Sequence, residues 1–568
     1  MTRRPITFES VAALPAATLN KPDELVFLPL GGAGEIGMNL NMYGYGGKWL
    51  MVDLGISFPD ETMPGIEILM ADPAFAAERK ADLVGLMITH AHEDHIGAIS
   101  HLWPRLGCPI YATPFTASVL RLKLAETGLL HSVKIIEQPL GSRFNIGPFD
   151  IELISLTHSI PEPNALVIRT AAGTVLHTGD WKFDPNPLVG QTSDFAALTR
   201  LGEEGVDALI GDSTNALRAG EAGSEADVRE SLIELVGRYD NRVAIACFAS
   251  NVARLQSAAA AGAAHGRKVA LVGRSLWRME QAARENGYLD GTPAFINDEE
   301  AAELPRNEVL LICTGSQGEP RSALTRIAGN DHQNISLDAG DTVIFSSRVI
   351  PGNERPIGRL QNQLAKMGVK VVTDDEHFVH VSGHPARDEL SRMYQMVRPK
   401  VALPVHGEAR HLIAHAQLAE DCQVPQTVII ENGEMVRLAP GPAKVIDQVE
   451  TGRLGLDGKN LVQLDGGAFK MRLRMTFNGS AVATVVLDRR GKILALPQIT
   501  VHGLIGEDAE DTMSLTKAVE RAINAMPAGS KMDDEAVRET TRLAIRRTLS
   551  NSLGKKPVTE VHVVRVQD

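Results

Sequence analysis

Thr89-His90-Ala91-His92-Glu93-Asp94-His95 directly follows the apolar run 83–88. A lone histidine in such a place is ordinarily a hydrogen-bonded core residue. Three imidazoles and a carboxylate within six positions at a strand end are hard to account for by packing. Their spacing has a geometric meaning. His90 and His92, one residue apart on an extended chain, point to one side and toward one ion, while Asp94 and His95 turn toward a second. One loop would seed two metal sites, each still short of ligands, so further His and Asp residues are required at other strand ends.

Working outward, those residues are present. His158 follows the strand-like run 151–156, Asp180 closes Val175-Leu176-His177-Thr178-Gly179-Asp180, and His406 sits in Pro404-Val405-His406-Gly407. The order His-x-His-x-Asp-His, then His, Asp and His, resembles the metallo-β-lactamase superfamily. That resemblance implies one ion held by His90, His92 and His158, the other by Asp94, His95 and His406, and Asp180 bridging them. It also matches Asp53, in Met51-Val52-Asp53-Leu54-Gly55, to the superfamily's first acidic motif, where the carboxylate supports the histidine loop from behind. Nitrogen and oxygen ligands without thiolate suit Zn²⁺, the first choice, and admit Mn²⁺ or Mg²⁺; spacing alone does not decide. Two such ions, roughly 3.5–4 Å apart, activate water and hold a phosphoryl oxygen, but they also serve β-lactam and thioester hydrolysis.

The substrate is narrowed by the stretch 206–372, where buried strands alternate with helices as in a parallel α/β unit inserted as a block. It lies between Asp180 and His406 and resembles the β-CASP insertion of nucleic-acid-processing enzymes. Three motifs match: Asp212 in Gly211-Asp212-Ser213-Thr214-Asn215, His384 in His380-Val381-Ser382-Gly383-His384-Pro385, and His406. Further phrases resemble the bacterial ribonuclease J family, among them Gly31-Gly-Ala-Gly-Glu-Ile-Gly-Met-Asn39, His177-Thr-Gly-Asp-Trp-Lys-Phe-Asp184, Phe248-Ala-Ser-Asn251, Thr314-Gly-Ser-Gln-Gly-Glu-Pro320 and Ile350-Pro-Gly-Asn-Glu354. Trp181 stands where phenylalanine is common in that family.

The fold implied is α/β. It comprises a tail 1–20, a metallo-β-lactamase αββα sandwich in two parts (21–205 and 373–445), the inserted β-CASP domain 206–372, a linker 446–460 and a small C-terminal α/β domain 461–568. The activity implied is that of a two-metal ribonuclease, a 5′-to-3′ exonuclease favouring 5′-monophosphate ends with added endonuclease action, in messenger RNA decay and ribosomal RNA 5′-end maturation. RNA is then the partner, with a homodimer or homotetramer and a ribosome or RNA-degradation complex as further expectations. A DNA-processing β-CASP nuclease and a noncatalytic RNA-binding degradosome subunit are the rival readings.

Physical chemistry of the residues adds to this. His380, Val381, Ser382, Gly383 and His384 offer imidazoles, a hydroxyl and open backbone N–H groups to a phosphate oxygen. The resemblance makes Asp94, Asp212 and His384 the catalytic candidates, His384 as stabiliser of the transition state or proton donor to the leaving oxygen. Gly315-Ser316-Gln317-Gly318 and Ser346-Ser347-Arg348 serve either the 5′ nucleotide or ordinary βα turns. Gly32-Ala33-Gly34-Glu35-Ile36-Gly37 satisfies a dinucleotide fingerprint, but no helix should start at Met38, where three glycines follow within ten residues. A tight turn near the floor of the site is expected instead.

Composition sets the outer limits. The 568 residues suggest about three or four units. Hydrophobic residues at 44% and charged at 22% are those of a soluble globular chain. Fifty-seven Lys+Arg against 70 Asp+Glu give a net charge of −13, which argues against nonspecific coating of nucleic acid, so a polyanion must be gripped locally. Four scattered cysteines without a Cys-x-x-Cys pair fit reduced thiols, and with no secretory signal or membrane span in view a cytoplasmic address is expected. Arg538, Arg542, Arg546 and Arg547 mark a helix face that reads as solvated before it reads as RNA-binding.

Overall fold

The computed structural model describes residues 21–504 and 509–566, so the expected tail 1–20 lies outside the described residues. The chain divides into two compact units: the part up to Phe58 with Leu69–Thr451, and Pro59–Ile68 with Gly452–Asp568.

The first unit is built on two facing sheets. One has eight strands, in the order Lys444–Gln448, Glu434–Ala439, Leu25–Gly31, Leu40–Tyr45, Lys48–Val52, Leu83–Met87, Ile110–Ala112, Ile135–Glu137. The other has seven, in the order Arg143–Ile146, Phe149–Ser155, Asn164–Arg169, Thr174–His177, Ala208–Asp212, Val401–Val405, Gln426–Thr427. Leu25, Phe27, Tyr43, Leu50, Val52 and Met87 from the first interdigitate with Ile151, Leu153, Leu166, Ile168, Ile210 and Leu403 from the second. The reverse face of the second sheet is covered by the helices Phe195–Glu204, Arg387–Val397 and Ala409–Asp421, through Leu198, Leu201, Leu390, Met393 and Leu418. This is the αββα sandwich.

The insertion has its own five-stranded, all-parallel sheet, in the order Lys268–Val272, Val309–Cys313, Val243–Ala246, Thr342–Phe345, Lys370–Val372. Ala208–Asp212, which the sequence groups with the insertion, pairs instead with Thr174–His177 and Val401–Val405 in the sandwich. Fully buried parallel strands look alike in sequence whichever sheet they join. Phe248-Ala-Ser-Asn251 ends in the N-cap of helix Val252–Ala264, where Asn251 accepts from Arg254 N at 2.9 Å. Beyond Val401–Val405 the second sheet ends in the short strand Gln426–Thr427. No helix follows the glycine-rich turn: Leu40–Tyr45 is a strand antiparallel to Leu25–Gly31, which removes the dinucleotide reading.

The second unit is a three-stranded sheet, Ile493–His502, Ser480–Leu487, Val558–Arg565, whose central strand buries every other residue, Ala481, Ala483, Val485 and Leu487. That face packs on Leu515, Val519 and Ile523 of one helix and Val537, Ile545 and Leu549 of Asp534–Leu553, at helical spacing. Ser480–Leu487 and Ile493–His502 form an antiparallel hairpin, and a further helix, Gly467–Asn478, precedes it. Arg538 and Arg542 pair with Glu535 and Glu539 on their own helix. The span 446–460 holds the end of Lys444–Gln448 and the strand Arg453–Asp457, leaving only a few connecting residues. Pro59–Ile68 belongs here through backbone bonds: Glu67 N donates to Leu456 O at 2.9 Å and Leu456 N to Ile68 O at 3.0 Å. Among the described residues no helix is long and apolar enough to cross a membrane.

Cys108, Cys247 and Cys313 are buried and Cys422 is half-buried, all as free thiols. Burial pushes the Cys108 and Cys247 thiols up to about 12, far from the reactive thiolate. An aromatic disulfide reagent should therefore titrate one thiol per chain, Cys422, in the native protein and all four in denaturant. Fast native labelling of Cys247 would contradict this packing.

Candidate metal centre

The strands bring the site together by stopping at a common level. Thr174–His177, Ala208–Asp212 and Val401–Val405 run parallel, with His177 opposite Ile210 and Asp212 opposite Val405. Asp180, Asp212 and His406 therefore lie side by side at the C-terminal ends, where parallel sheets place their chemistry. In the facing sheet Val52 pairs with Met87, which sets Asp53 beside Thr89.

The histidine loop rests on the loop 53–55. Asp53 has a left-handed backbone, φ 62°. Asp53 N donates to Met87 O at 2.9 Å, and Leu54 N to His95 O at 2.7 Å. A Cβ on Gly55 would lie 1.6 Å from Asp94 O, so no other residue fits there. Asp53 Oδ1 accepts from Thr89 N at 2.8 Å, and Oδ2 accepts from the Thr89 hydroxyl at 2.8 Å and from His95 Nδ1 at 2.7 Å. With its Nδ1 proton held by Asp53, Nε2 is the nitrogen of His95 that would give its lone pair to a cation.

Among the described residues three groups of possible ligands converge, each with its donor atoms within 4.8 Å of one another: His90, His92, His158 and Asp180; Asp94, His95, Asp180 and His406; Asp180, Asp212, His384 and His406. His92 Nδ1 is 3.1 Å from His90 Nε2 and 3.0 Å from His158 Nε2. Asp180 Oδ2 is 3.1 Å from His95 Nε2, and Asp180 Oδ1 is 3.0 Å from His406 Nδ1. His406 Nε2 is buried, forms no hydrogen bond and lies 3.2 Å from Asp94 Oδ2. An orphaned imidazole nitrogen facing a carboxylate oxygen, among nitrogen and oxygen donors without thiolate, fits a divalent cation. All seven residues expected as ligands are in the first two groups.

Charge is balanced within the cluster. Burial keeps His90, His92 and His158 neutral, lowering His92 to about 4, so these imidazoles are ready to donate lone pairs. For His95 and His406 burial acts in the same direction but is outweighed, by Asp180 above all, and both are held well above the usual histidine value. Against the opposing effect of burial, His95 keeps Asp94 low, His406 and His95 keep Asp180 low, and His384 keeps Asp212 low.

His384 reaches the same place from the other side. Its Nδ1 lies 2.8 Å from Asp212 Oδ2, and Asp212 Oδ1 accepts from Thr214 N at 2.9 Å. The loop leading to it is pinned at several points. Asn215 Nδ2 donates to Ser382 Oγ at 2.7 Å and to His384 O at 3.0 Å. Gly383 is needed for space and for its carbonyl: a Cβ would lie 2.5 Å from His158 Cε1, and its oxygen meets His158 Nδ1. Val381 is buried, so it can offer a ligand only its backbone. His380 is half-buried with an unpartnered Nδ1; burial, then Arg254, Lys182, Arg348 and Arg218, keep it neutral in a cationic setting.

The turns 315–318 and 346–348 join this wall. Gln317 Nε2 donates to Arg348 O at 2.8 Å, Ser346 Oγ to Val379 O at 2.6 Å, and the buried Arg254 binds Ser346, Val379 and Glu225. Asn39, Thr89, Thr214, Asn215 and Arg254 were not singled out from the sequence. No spacing rule marks them, although all but Arg254 stand within a quoted phrase. Asn39 Nδ2 donates to Asp94 O at 3.1 Å and lies 3.2 Å from His95 Nε2.

An αββα sandwich with its imidazoles and carboxylates on the edge where both sheets end is the architecture of the metallo-β-lactamase superfamily, and residues 39–237 match that superfamily's model. Residues 368–427 match a Zn-dependent metallo-hydrolase RNA specificity domain, 240–364 the ribonuclease J β-CASP domain, and 467–566 the ribonuclease J C-terminal domain. Ribonuclease J of Sinorhizobium meliloti is 46% identical over 553 residues, 96% of this chain and 98% of that protein. Ribonuclease J of Mycolicibacterium smegmatis is 38% identical over 550 residues (96% and 98%), and that of Helicobacter pylori strain 26695 is 35% identical over 555 residues (96% and 80%). The chain thus belongs to the ribonuclease J family. A protein of unknown function from Enterococcus faecalis V583 has the same fold over 72% of this chain and 99% of its own, with a TM-score of 0.50 and 17% identity.

Asp53→Asn tests the cradle. The amide would accept from Thr89 N as before but donate to His95 Nδ1, forcing the proton onto Nε2. The expected result is a folded protein with a near-native melting temperature that binds divalent metal about 10–100-fold more weakly. Undiminished metal affinity would remove the role assigned to Asp53.

Proposed function

We propose that this chain is a two-metal ribonuclease that hydrolyses RNA phosphodiesters, as a 5′-to-3′ exonuclease preferring 5′-monophosphate ends and as an endonuclease, in messenger RNA decay and ribosomal RNA 5′-end maturation. The observation that carries the reading is the seat of the loop 380–384 on the candidate metal centre, with His384 on Asp212 and Gly383 against His158. Such a loop holds a phosphodiester against the groups that cut it. RNA is favoured over DNA by the matched RNA specificity domain and by relatives that carry the name ribonuclease J.

His90, His92 and His158 would hold one ion, Asp94, His95 and His406 the other, and Asp180 would serve both. Zn²⁺ suits this donor set, with Mn²⁺ or Mg²⁺ as alternatives. When bound, the cations supply the positive charge that makes water nucleophilic near neutral pH and that offsets charge on the phosphoryl oxygens. Asp94, the most open carboxylate of the cluster, with 30% of its side chain exposed, orients the attacking water by accepting its hydrogen bond. His384, oriented by Asp212 beside the centre, donates to a phosphoryl oxygen or to the leaving oxygen. The backbone and hydroxyl of the loop 380–383 hold the phosphate. We place this activity in the cytoplasm, in a homodimer or homotetramer.

His92→Ala should abolish cleavage and empty one ion site while the fold persists. His384→Ala should lower turnover about 10²–10⁴-fold with metal content unchanged. Wild-type turnover from His92→Ala in metal-defined buffer would refute the centre, and metal loss matching the activity loss in His384→Ala would refute the role of His384.

Matched oligonucleotides test the substrate. Mononucleotide release should be faster from 5′-monophosphorylated RNA than from 5′-triphosphorylated RNA and absent from DNA of the same sequence. Dominant DNA cleavage would favour the DNA-processing reading, and binding without cleavage the noncatalytic one.

A further inference from the structure

The loop carrying His158 is held at its far end by the inserted domain. Glu162 is buried, and its backbone is left-handed, φ 59°. A non-glycine residue stays in that region only where its surroundings hold it. Its carboxylate accepts from Phe115 N at 2.9 Å and from the Tyr288 hydroxyl at 2.8 Å, and its carbonyl accepts from Asn164 Nδ2 at 2.6 Å. Asn164 N donates to Thr89 O at 3.2 Å, directly before His90.

Tyr288 belongs to the insertion, in the turn after helix Arg274–Glu285, where its carbonyl accepts from Gln256 Nε2 at 2.8 Å. Its ring meets Phe115 edge-on, 5.9 Å between centroids. Phe115 opens helix Pro114–Glu126 of the sandwich, and Asn286 Nδ2 donates to Ser118 Oγ on that helix at 3.0 Å. Arg278 pairs with Glu126 farther along. Tyr288 is thus the point in this junction that reaches into the active-site loop.

The chain between Glu162 and His158 is short and stiff. Pro161 and Pro163 flank Glu162, Ile160 is 1% exposed, and Ser159 Oγ lies 3.4 Å from His92 Nε2. A displacement at Glu162 has little slack to absorb it before His158.

We propose that Tyr288 and Glu162 are positioning residues: through their hydrogen bond, the seat of the inserted domain on the helix Pro114–Glu126 sets the loop 158–163, and with it the aim of His158 at the candidate metal centre. The proposal rests on the reading of His158 as a metal ligand. Its consequence is that one ion of the pair is held at full strength only when the insertion is seated, so domain seating and catalytic competence are coupled.

The test uses the full chain, stripped with chelator and titrated with Zn²⁺, alongside steady-state cleavage of a 5′-monophosphorylated RNA. Tyr288→Phe keeps the ring against Phe115 and removes only the hydroxyl; Glu162→Gln keeps an acceptor for Phe115 N on its amide oxygen and turns its amide nitrogen to donate to the Tyr288 oxygen, so both contacts persist. Tyr288→Phe should bind one of the two ions about tenfold more weakly and lose about tenfold in kcat, with KM and melting temperature close to wild type. Glu162→Gln should retain most activity and Glu162→Ala should not. Wild-type kcat and ion affinities in Tyr288→Phe overturn the proposal, as does an equal weakening of both ions or a drop in melting temperature that accounts for the loss. His92→Ala in the same series separates the failures. If it too binds both ions and turns over normally, the reading of the metal centre has failed and this proposal with it; if it loses an ion while Tyr288→Phe is normal, only this proposal falls.

Discussion

Asp180 is the one side chain common to all three groups of converging ligands, and the geometry around it constrains the rest. A carboxylate that is 3% exposed loses several kcal/mol of hydration unless positive partners replace the water. His95, His406 and His384 do so, each arriving on a different segment: the short helix Glu93–Ile96 that follows a strand of one sheet, the end of a strand in the other, and the loop leaving the insertion. Each partner is fixed in turn by a carboxylate or carbonyl behind it. The parallel strands must end at a common level for this to happen, and their register in both sheets achieves it.

Close approach of backbones is the second requirement. Gly55, Gly383 and Gly407 do not have a positive φ, so they are not turn formers. A Cβ on them would strike Asp94 O, the His158 ring and His411 Cβ respectively. The glycine-rich turn after Leu25–Gly31 serves similarly: Gly32, at φ 90°, offers its carbonyl to His406 N at 2.6 Å, and Ala33 pairs with Gly407. The turn that resembles a dinucleotide fingerprint is a brace for a histidine.

Much of the fold and of the candidate centre was legible because its signals are local. Apolar runs ending in His and Asp clusters mark strand ends, and Val252–Ala264 follows its periodicity from cap to end. What stayed hidden depends on partners far along the chain. Nothing in Ala208–Asp212 tells which sheet it joins. Helix Gly467–Asn478 escaped notice because it buries only Phe469 and leaves Met471, Met475 and Phe477 exposed, so no apolar stripe marks it. Lys182 and Asp184 stand within a quoted family phrase, yet only the fold shows them as a fully buried ion pair, 3.0 Å apart, with Lys182 Nζ also reaching Gly223 O. Tyr288 and Glu162, more than a hundred residues apart, are of the same kind.

The ten residues Pro59–Ile68 have a bearing on how the chain is made. They are synthesised early, yet their hydrogen-bonding partners around Leu456 leave the ribosome nearly four hundred residues later. At roughly 5–20 residues per second, that segment waits on the order of 20–80 s before it can pair. Throughout that interval the segment lacks the strand around Leu456 that holds it in the folded chain, as it would in any chain ended before residue 452. The C-terminal unit is therefore not an appendage that can be deleted cleanly at its apparent boundary; the completion of translation is written into its sheet.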